Sequence, residues 1–401
     1  MGKLKPGWRK VKFGEVVRQA KSKVNPETSG LERYVAGEHM DTDDLRIRRW
    51  GEIGNGYLGP AFHARFRPGQ VLYGSRRTYL RKVAIADFEG ICANTTLVLE
   101  SADPRILLPE LLPFVMQTDA FHEHSRRESK GSVNPYVNFS DLAWYEFALP
   151  CSLDEQRRIA CTLEAPLLLK EELKKAKAAQ QEVYESYSLH VFAPCLSGTR
   201  RLPRDFRHPA FDVMPWDQIV EEDAPICYGI VQVGSDNPRG VPTLAIKDLD
   251  GNFTNGVHRT SAHIEQAYER SRVREGDVVV AIKGTIGPVA VVPKGFQGNI
   301  SRDLARVRLK SRAMLPRFFL HLYRSPAYRR YVEGHIVGST RAELSIGVLR
   351  ALEILVPALK TQTEVVRHLE ALSEAGMEID RRDLHLKTQY AALLRTVLSE
   401  A

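Results

Sequence analysis

The chain has 401 residues, with 57 Lys plus Arg against 49 Asp plus Glu, a formal net charge of +8, 43% hydrophobic residues and 26% charged ones. This composition excludes disorder and collagen-like repeats, and the length predicts two or three domains of roughly 100 to 200 residues each. Apolar runs such as Val278 to Ile282 fall far short of the roughly 18 residues that cross a bilayer, and no apolar stretch follows the Lys-rich N-terminus. The expectation is a protein with no membrane association and no secretion signal. Five scattered cysteines, Cys92, Cys151, Cys161, Cys195 and Cys227, form no C-x-x-C pair. They predict a reducing, cytoplasmic setting and argue against structural zinc. The basic excess is compatible with a nucleic-acid partner.

In chain order the sequence reads as one pattern written twice. GQVLYGSRRTYLRKVAIADFEG, Gly69 to Gly90, aligns with GDVVVAIKGTIGPVAVVPKGFQG, Gly276 to Gly298, at an offset of 207 with one late insertion. Gly131-Ser132 falls on Gly338-Ser339 and Leu149-Pro150 on Val356-Pro357 at the same offset, and EQRRIACTLE corresponds to TQTEVVRHLE at an offset of 206. The predicted organisation is a globular unit (1–151), a helix and connector (152–206), a second globular unit (207–357) and a second helix (358–401). Short β-branched runs alternating with Gly, Pro and Asn turns make the globular units mixed α+β. Helices are predicted at 108–124 and 315–333, ahead of each Gly-Ser turn.

The two end segments carry seams. Leu169, Leu173, Ala176, Gln180, Val183 and Tyr187 follow a 4-3-4-3-4 spacing in the first, behind a Pro166 that forbids an unbroken helix or marks a helix start. Leu372, Ile379, Leu386 and Leu393 recur every seven residues in the second, flanked by Gly376, Asp383, Tyr390 and Val397. Two seams of similar length are expected to pack on each other. The net charge is +4 on each globular unit, +2 on residues 193–206 and −1 on each helical segment. A polyanion would therefore meet the globular units.

Constellations for catalysis are missing. GNGYLG, Gly54 to Gly59, has no leading strand and is followed by Pro60, so it reads as a turn rather than a phosphate cradle. Asn134-Pro135-Tyr136 lacks the second proline of a base-flipping loop and reads as a turn. Asp154, Glu172 and Lys174 read as a solvated helix face, and His122 and His124 as surface residues near a helix end. What remains is recognition. The turn between the paired runs carries Arg76, Arg77, Thr78, Tyr79, Arg81 and Lys82 in the first copy, and Lys283, Gly284 and Thr285 in the second. The Gly-Ser turns carry Lys130, Ser132, Asn134 and Tyr136 in the first, and Ser339, Thr340 and Arg341 in the second. Such residues on loops suit phosphate positioning and base-edge readout. Because the two sets differ, the units would read different sequences.

The order of these features resembles the specificity (S) subunit of Type I restriction-modification systems: two divergent units with G-[DQ]-V and a G-S turn, an [LV]-P strand end and an E-Q-x-x-I-x-x-x-L helix start. LSGTRRLP, Leu196 to Pro203, looks like the segment that follows the first helix in that family. The likeness covers essentially the whole chain. It implies two target recognition domains, each reading half of a bipartite site on double-stranded DNA. It also implies two helices in an antiparallel coiled coil, related by a pseudo-twofold repeat, with a seam of Leu169, Leu173, Ala176, Val183, Tyr187, Leu372, Ile379, Leu386, Tyr390, Leu393 and Val397. The helices would space the domains and dock two methyltransferase (M) subunits. The chain itself would be no enzyme and bind no cofactor or metal; S-adenosylmethionine would sit in M, and ATP and magnesium in a restriction (R) subunit. Thr361 stands where the first copy has Glu155, a departure from the pattern. The competing readings are a coiled-coil adaptor without DNA reading and a single-chain DNA methyltransferase.

Overall fold

The β-branched runs that anchor the two copies, Val71–Gly74 and Val278–Ala281, are fully buried strands in the computed structural model, as short apolar runs bounded by turns require. Residues 4–54, 56, 58–192, 211–251, 253–336 and 342–398 are described. LSGTRRLP lies outside them. Contacts divide the chain into two compact units, Met1–Lys174 with Arg381–Ala401, and Lys175–Asp380. Each globular region therefore packs with half of each long helix, which cuts across the segment borders expected from the sequence.

In the first unit Val71–Gly74 lies between Thr96–Ser101 and Val83–Ile85, with Val17–Gln19 on the outer edge of Thr96–Ser101, all antiparallel. A second sheet runs Gly51–Glu52, Arg33–Val35, Gly90–Ala93, Phe62–Phe66, with its middle pair parallel. In the second unit Val278–Ala281 lies between Leu304–Val307 and Val289–Val291, with Cys227–Tyr228 at the edge. Its second sheet is Arg259–Thr260, Val241–Leu244, Asn299–Ile300, again with one parallel pair. A two-stranded ribbon joins Trp8–Lys12 to Glu146–Pro150 in one unit and Phe211–Pro215 to Glu353–Pro357 in the other. The mixed α+β reading agrees with this.

The helices expected at 108–124 and 315–333 are each broken in two. Leu112–Gln117 is followed by Asp119–Arg127, and Pro316–Arg324 by Pro326–Glu333. The break residues, Thr118 and Ser325, are extended, and each side-chain oxygen accepts from the backbone N–H three residues on, at 3.3 Å from Phe121 and 3.2 Å from Tyr328. A hydroxyl that caps a new helix competes with continuing the old one, and Pro326 further disfavours helical backbone at Ser325. His122 and His124, expected at the surface, are 6% and 9% exposed. They lie on the inward face of Asp119–Arg127, where His122 packs edge-on to Phe121 and His124 against Tyr145.

The first long helix, Leu153–Phe192, runs without interruption through Pro166, contrary to expectation. Proline at that position deprives the Thr162 carbonyl of its helical donor, a cost of about 3 kcal/mol. Pro166 is half-buried beside Leu167, Leu386 and Leu394, and burying large apolar side chains contributes about 1.5 to 3 kcal/mol each, enough to offset it. The second long helix is Leu359–Leu398. In the second unit the two run antiparallel: Lys177 Nζ donates to the Gly376 carbonyl at 3.0 Å and meets Asp380 at 2.7 Å, Gln180 Nε2 donates to the Leu372 carbonyl at 2.7 Å, and Tyr187 pairs with His368 at 2.9 Å. Gly376 permits this approach, since a Cβ there would stand 2.7 Å from Gln180 Oε1. In the first unit Leu163 and Leu167 share a core with Tyr390, Leu393, Leu394 and Val397.

These contacts correct the first seam. Leu169, Ala176 and Val183 are exposed, Leu169 and Val183 at 50% and 52%. The inward stripe instead steps through Leu163, Lys170, Lys177, Tyr184 and Val191, with Leu167, Leu173, Gln180 and Tyr187 between. Lysine and glutamine on that stripe disguise it in an apolar pattern, because their stems pack while their heads reach polar partners. In the second helix Leu372, Ile379, Leu386, Tyr390, Leu393 and Val397 all face inward to some degree.

A glutamine mounts each long helix on its globular region. Gln156, fully buried, accepts from the Leu108 N–H at 2.8 Å and donates to the carbonyls of Ile106 and Pro150 at 2.8 and 2.9 Å. Gln362, also fully buried, accepts from Leu315 N–H and donates to Ala313 and Pro357, each at 2.8 Å.

Candidate nucleic-acid interface

The sequence singled out two turns in each copy, and the structure brings them together. In the first unit the turn after Val71–Gly74 and the turn 130–136 are stitched by main-chain bonds. Arg77 N–H donates to the Pro135 carbonyl at 2.7 Å and Val137 N–H to the Ser75 carbonyl at 2.9 Å. Lys130 and Tyr136 exchange bonds of 2.8 and 2.9 Å, which closes the second turn on itself. Arg77 takes left-handed backbone, φ 52 and ψ 54. That conformation costs a non-glycine residue roughly 1 to 2 kcal/mol and is held here by the Pro135 bond.

The second unit repeats the joint. Gly284 N–H donates to the Ala342 carbonyl at 3.0 Å and Leu344 N–H to the Ile282 carbonyl at 2.9 Å. Gly284, at φ +75, occupies the left-handed place of Arg77, where glycine is unstrained. Ser339, Thr340 and Arg341 lie outside the described residues.

Side chains at these turns differ in what they are free to do. Arg76, Arg77, Tyr79, Ser132, Asn134 and Tyr136 are exposed. Arg77 Nε donates to Asn134 Oδ1 at 3.1 Å, so one guanidinium and one amide are held side by side. Neither Arg76 nor Arg77 enters an ion pair among the described residues. Thr78 corrects the sequence reading, being 2% exposed and bonded to Ser129 Oγ at 2.8 Å. Arg81 is engaged by Asp43 and Asp119 at 2.7 and 2.8 Å, and its hydrogen bond holds the Asp119 carboxyl below the usual range. Lys82 reaches the Gly37 carbonyl. Lys130 pairs with Asp141 at 2.8 Å and Lys283 with Glu343 at 3.0 Å, whereas Thr285 is exposed. Arg81, Lys130 and Lys283 thus already have carboxylate partners, a pairing that sequence spacing does not display. Val133, which belongs to the turn singled out in the sequence though not to its polar set, is 85% exposed at the tip.

The open surface of the first unit therefore combines two uncompensated guanidiniums with an amide, a hydroxyl and two phenols. Such a set can fork onto phosphate oxygens and onto acceptor edges of bases. The residues weighed as a nuclease triad are not gathered: Asp154 pairs with Arg157, and Lys174 lies 3.7 Å from Asp44. Gly54, Gly56 and Gly59 all have positive φ, as a turn demands. Among the described residues no group of three His, Cys, Asp or Glu side chains could hold a metal, and no helix is long and apolar enough to cross a membrane.

Residues 236–385 match the family model of the Type I restriction modification DNA specificity domain. Over 188 residues the chain is 28% identical to the Type I restriction enzyme EcoBI specificity subunit of Escherichia coli, covering 46% of this chain and 40% of that protein. The chain thus spans less than half the length of that curated relative. A chain solved in work on complex assembly and conformational transition of the type I R-M system matches with TM-score 0.63 at 22% identity, covering 100% of both chains. The HsdS subunit from Thermoanaerobacter tengcongensis matches with TM-score 0.51 at 20% identity, covering 99% of this chain and 97% of that one. At these identities the structural likeness carries the fold.

Proposed function

We propose that this chain is a specificity subunit of a Type I restriction-modification system, as the family match over residues 236–385 supports, and that it reads one half of a bipartite DNA site with each of its two globular regions. The observation that carries this reading is the stitched pair of turns, present in both units at the same 207-residue offset and dressed with different side chains. Equal backbone with unequal side chains suits two readers of unequal sequences. Arg76, Arg77, Tyr79, Ser132, Asn134 and Tyr136 make contact in the first, Thr285 and the 338–341 segment in the second.

The two units are copies related by a pseudo-twofold axis, and the two long helices form an antiparallel coiled coil that spaces the readers. The opposite running of Lys177, Gln180 and Tyr187 against Asp380, Leu372 and His368 supports that arrangement. Forty helical residues extend about 60 Å, between one and two turns of duplex DNA. The outer faces of the helices dock two methyltransferase subunits, which bring S-adenosylmethionine, and a restriction subunit brings ATP and magnesium. The chain itself catalyses nothing.

Sequencing of methylated sites in cells that carry this chain with its methyltransferase tests the reading. Exchanging residues 207–357 for those of a relative should change one half-site and leave the other. Both halves unchanged would defeat the two-reader assignment, and methyl transfer by the purified chain alone would defeat the non-catalytic one.

A further inference from the structure

A cleft of about 900 Å³ on the second unit is lined by seven arginines against three carboxylates, Asp223, Glu265 and Glu269. It opens beside Asp277, at the start of the strand Val278–Ala281, whereas the turn with Lys283 and Thr285 follows the end of that strand. The cleft is thus a different place from the stitched turns.

Two of its three carboxylates are already engaged, with Glu269 meeting Arg272 at 3.3 Å. Glu265, 2% exposed, takes Arg272 at 2.7 Å and Asn299 at 2.9 Å, and Asp277 beneath the cleft takes Arg308 at 2.7 and 2.8 Å. Arg306 takes no carboxylate directly among the described residues, though its guanidinium meets the Cys227 side chain and feels the charge of Asp277. It is 4% exposed, and one Nη donates to the Pro225 carbonyl at 2.9 Å. Its Nε is buried with no partner among the described residues, as is that of Arg259 on the same wall. Burying a guanidinium without a paired anion is unfavourable, so the fold should avoid it unless the cation has a task.

The first unit shows that the fold does not require it. Arg306 lies opposite Val279 on the strand ladder. The residue opposite Leu72, the counterpart of Val279, is Val98, 1% exposed. Valine fills in one unit the place that a buried arginine takes in the other. At the rim Arg270 and Arg274 are exposed. A buried fork below and two exposed forks above suit an anion that presents several oxygens in a tetrahedral array, for which guanidinium is the best matched side chain.

We propose that this cleft binds a phosphate-bearing anion, seated on Arg306 and gripped by Arg270 and Arg274. The inference goes beyond the reading of the stitched turns and does not rest on it. The phosphate can belong to a DNA backbone or to a free polyphosphate, and the experiment separates the two. Calorimetric titration of the full chain with inorganic pyrophosphate is expected to show saturable binding, weakened by about tenfold or more in the Arg270→Gln/Arg274→Gln double variant, whose exposed positions leave folding intact. Arg306→Val, which copies the first unit, is expected to lose it. Competition by a short duplex then assigns the site to DNA phosphates, and binding indifferent to duplex assigns it to a free polyphosphate. No saturation below about 10 mM pyrophosphate, or equal affinity in wild type and double variant, overturns the proposal whatever the DNA affinity of the turns.

Discussion

The two units hold the same joints with different fillings. Gln156 and Gln362 bond to main-chain groups at matching positions, Thr118 and Ser325 cap matching helices, and the turns are stitched through matching amides. Between those joints almost everything else varies. Arg77 with Asn134 corresponds to Gly284, the buried Val98 corresponds to the buried Arg306, and Lys130 binds Asp141 where Lys283 binds Glu343 from the opposite turn. Conformation is thus carried by bonds to the backbone, and the side chains between them are left to define what each unit touches.

The sharpest way to break this equivalence is at the glutamines. Gln156→Leu and Gln362→Leu each leave a buried N–H and two buried carbonyls unpaired, for a loss of about 4 kcal/mol. Urea denaturation of the full chain should show the two losses agreeing within about 1 kcal/mol, and a tolerated change in either unit would separate the copies. Next, the Arg76→Ala/Arg77→Ala variant should weaken duplex binding by about 30- to 100-fold and lower the salt slope by about 2, whereas Lys283→Gln, which removes an already paired charge, should cost about threefold or less. Fluorescence anisotropy across a salt series distinguishes them; equal effects would mean that ion pairing does not decide which cations meet DNA.

Each unit also carries a buried histidine at a different position. Burial holds His122 at about 3 and His321 at about 4, against 6.5 for an exposed imidazole. Below pH 6.5 the unfolded chain takes up protons that the folded one refuses, so this stability is fully present above 6.5 and is lost as pH falls towards those values. Each contributes a loss on the order of 2 kcal/mol by pH 5. His122→Phe and His321→Phe should flatten the melting temperature between pH 7 and 5, and an unaltered slope would place the acid sensitivity elsewhere. The smallest effect is expected at the caps: Thr118→Ala and Ser325→Ala each cost about 1 kcal/mol by the same denaturation measurement.

The turns were legible because the stitched amides demand equal chain length between them, so that the joined positions keep the 207-residue offset even where residues diverge. Exposure at Arg76, Arg77 and Tyr136 was legible too, since polar residues in a turn between buried strands have nowhere else to go. The engagement of Arg81 and Lys283 was not, because Asp119 and Glu343 are distant in sequence. The stripe of the first helix was hidden by Lys170, Lys177 and Gln180, polar residues whose partners are Asp44 of the globular region for the first and carbonyls of the second helix for the other two. Gln156 and Gln362 stood at aligned positions of the repeat, but an isolated glutamine near a helix start looks like any solvated one. His122 was misjudged because a helix as short as Asp119–Arg127 gives too few turns to fix which face is inward.

The glutamine mount has a consequence for how such a chain can change. Gln156 and Gln362 recognise only peptide groups, so the socket that receives each helix is blind to the side chains of the region it holds. A region of altogether different sequence fits the same socket if its backbone passes through the same three points. On that ground a junction placed between residues 150 and 156, or between 357 and 362, is expected to join a foreign globular region to the helix without redesigning the joint.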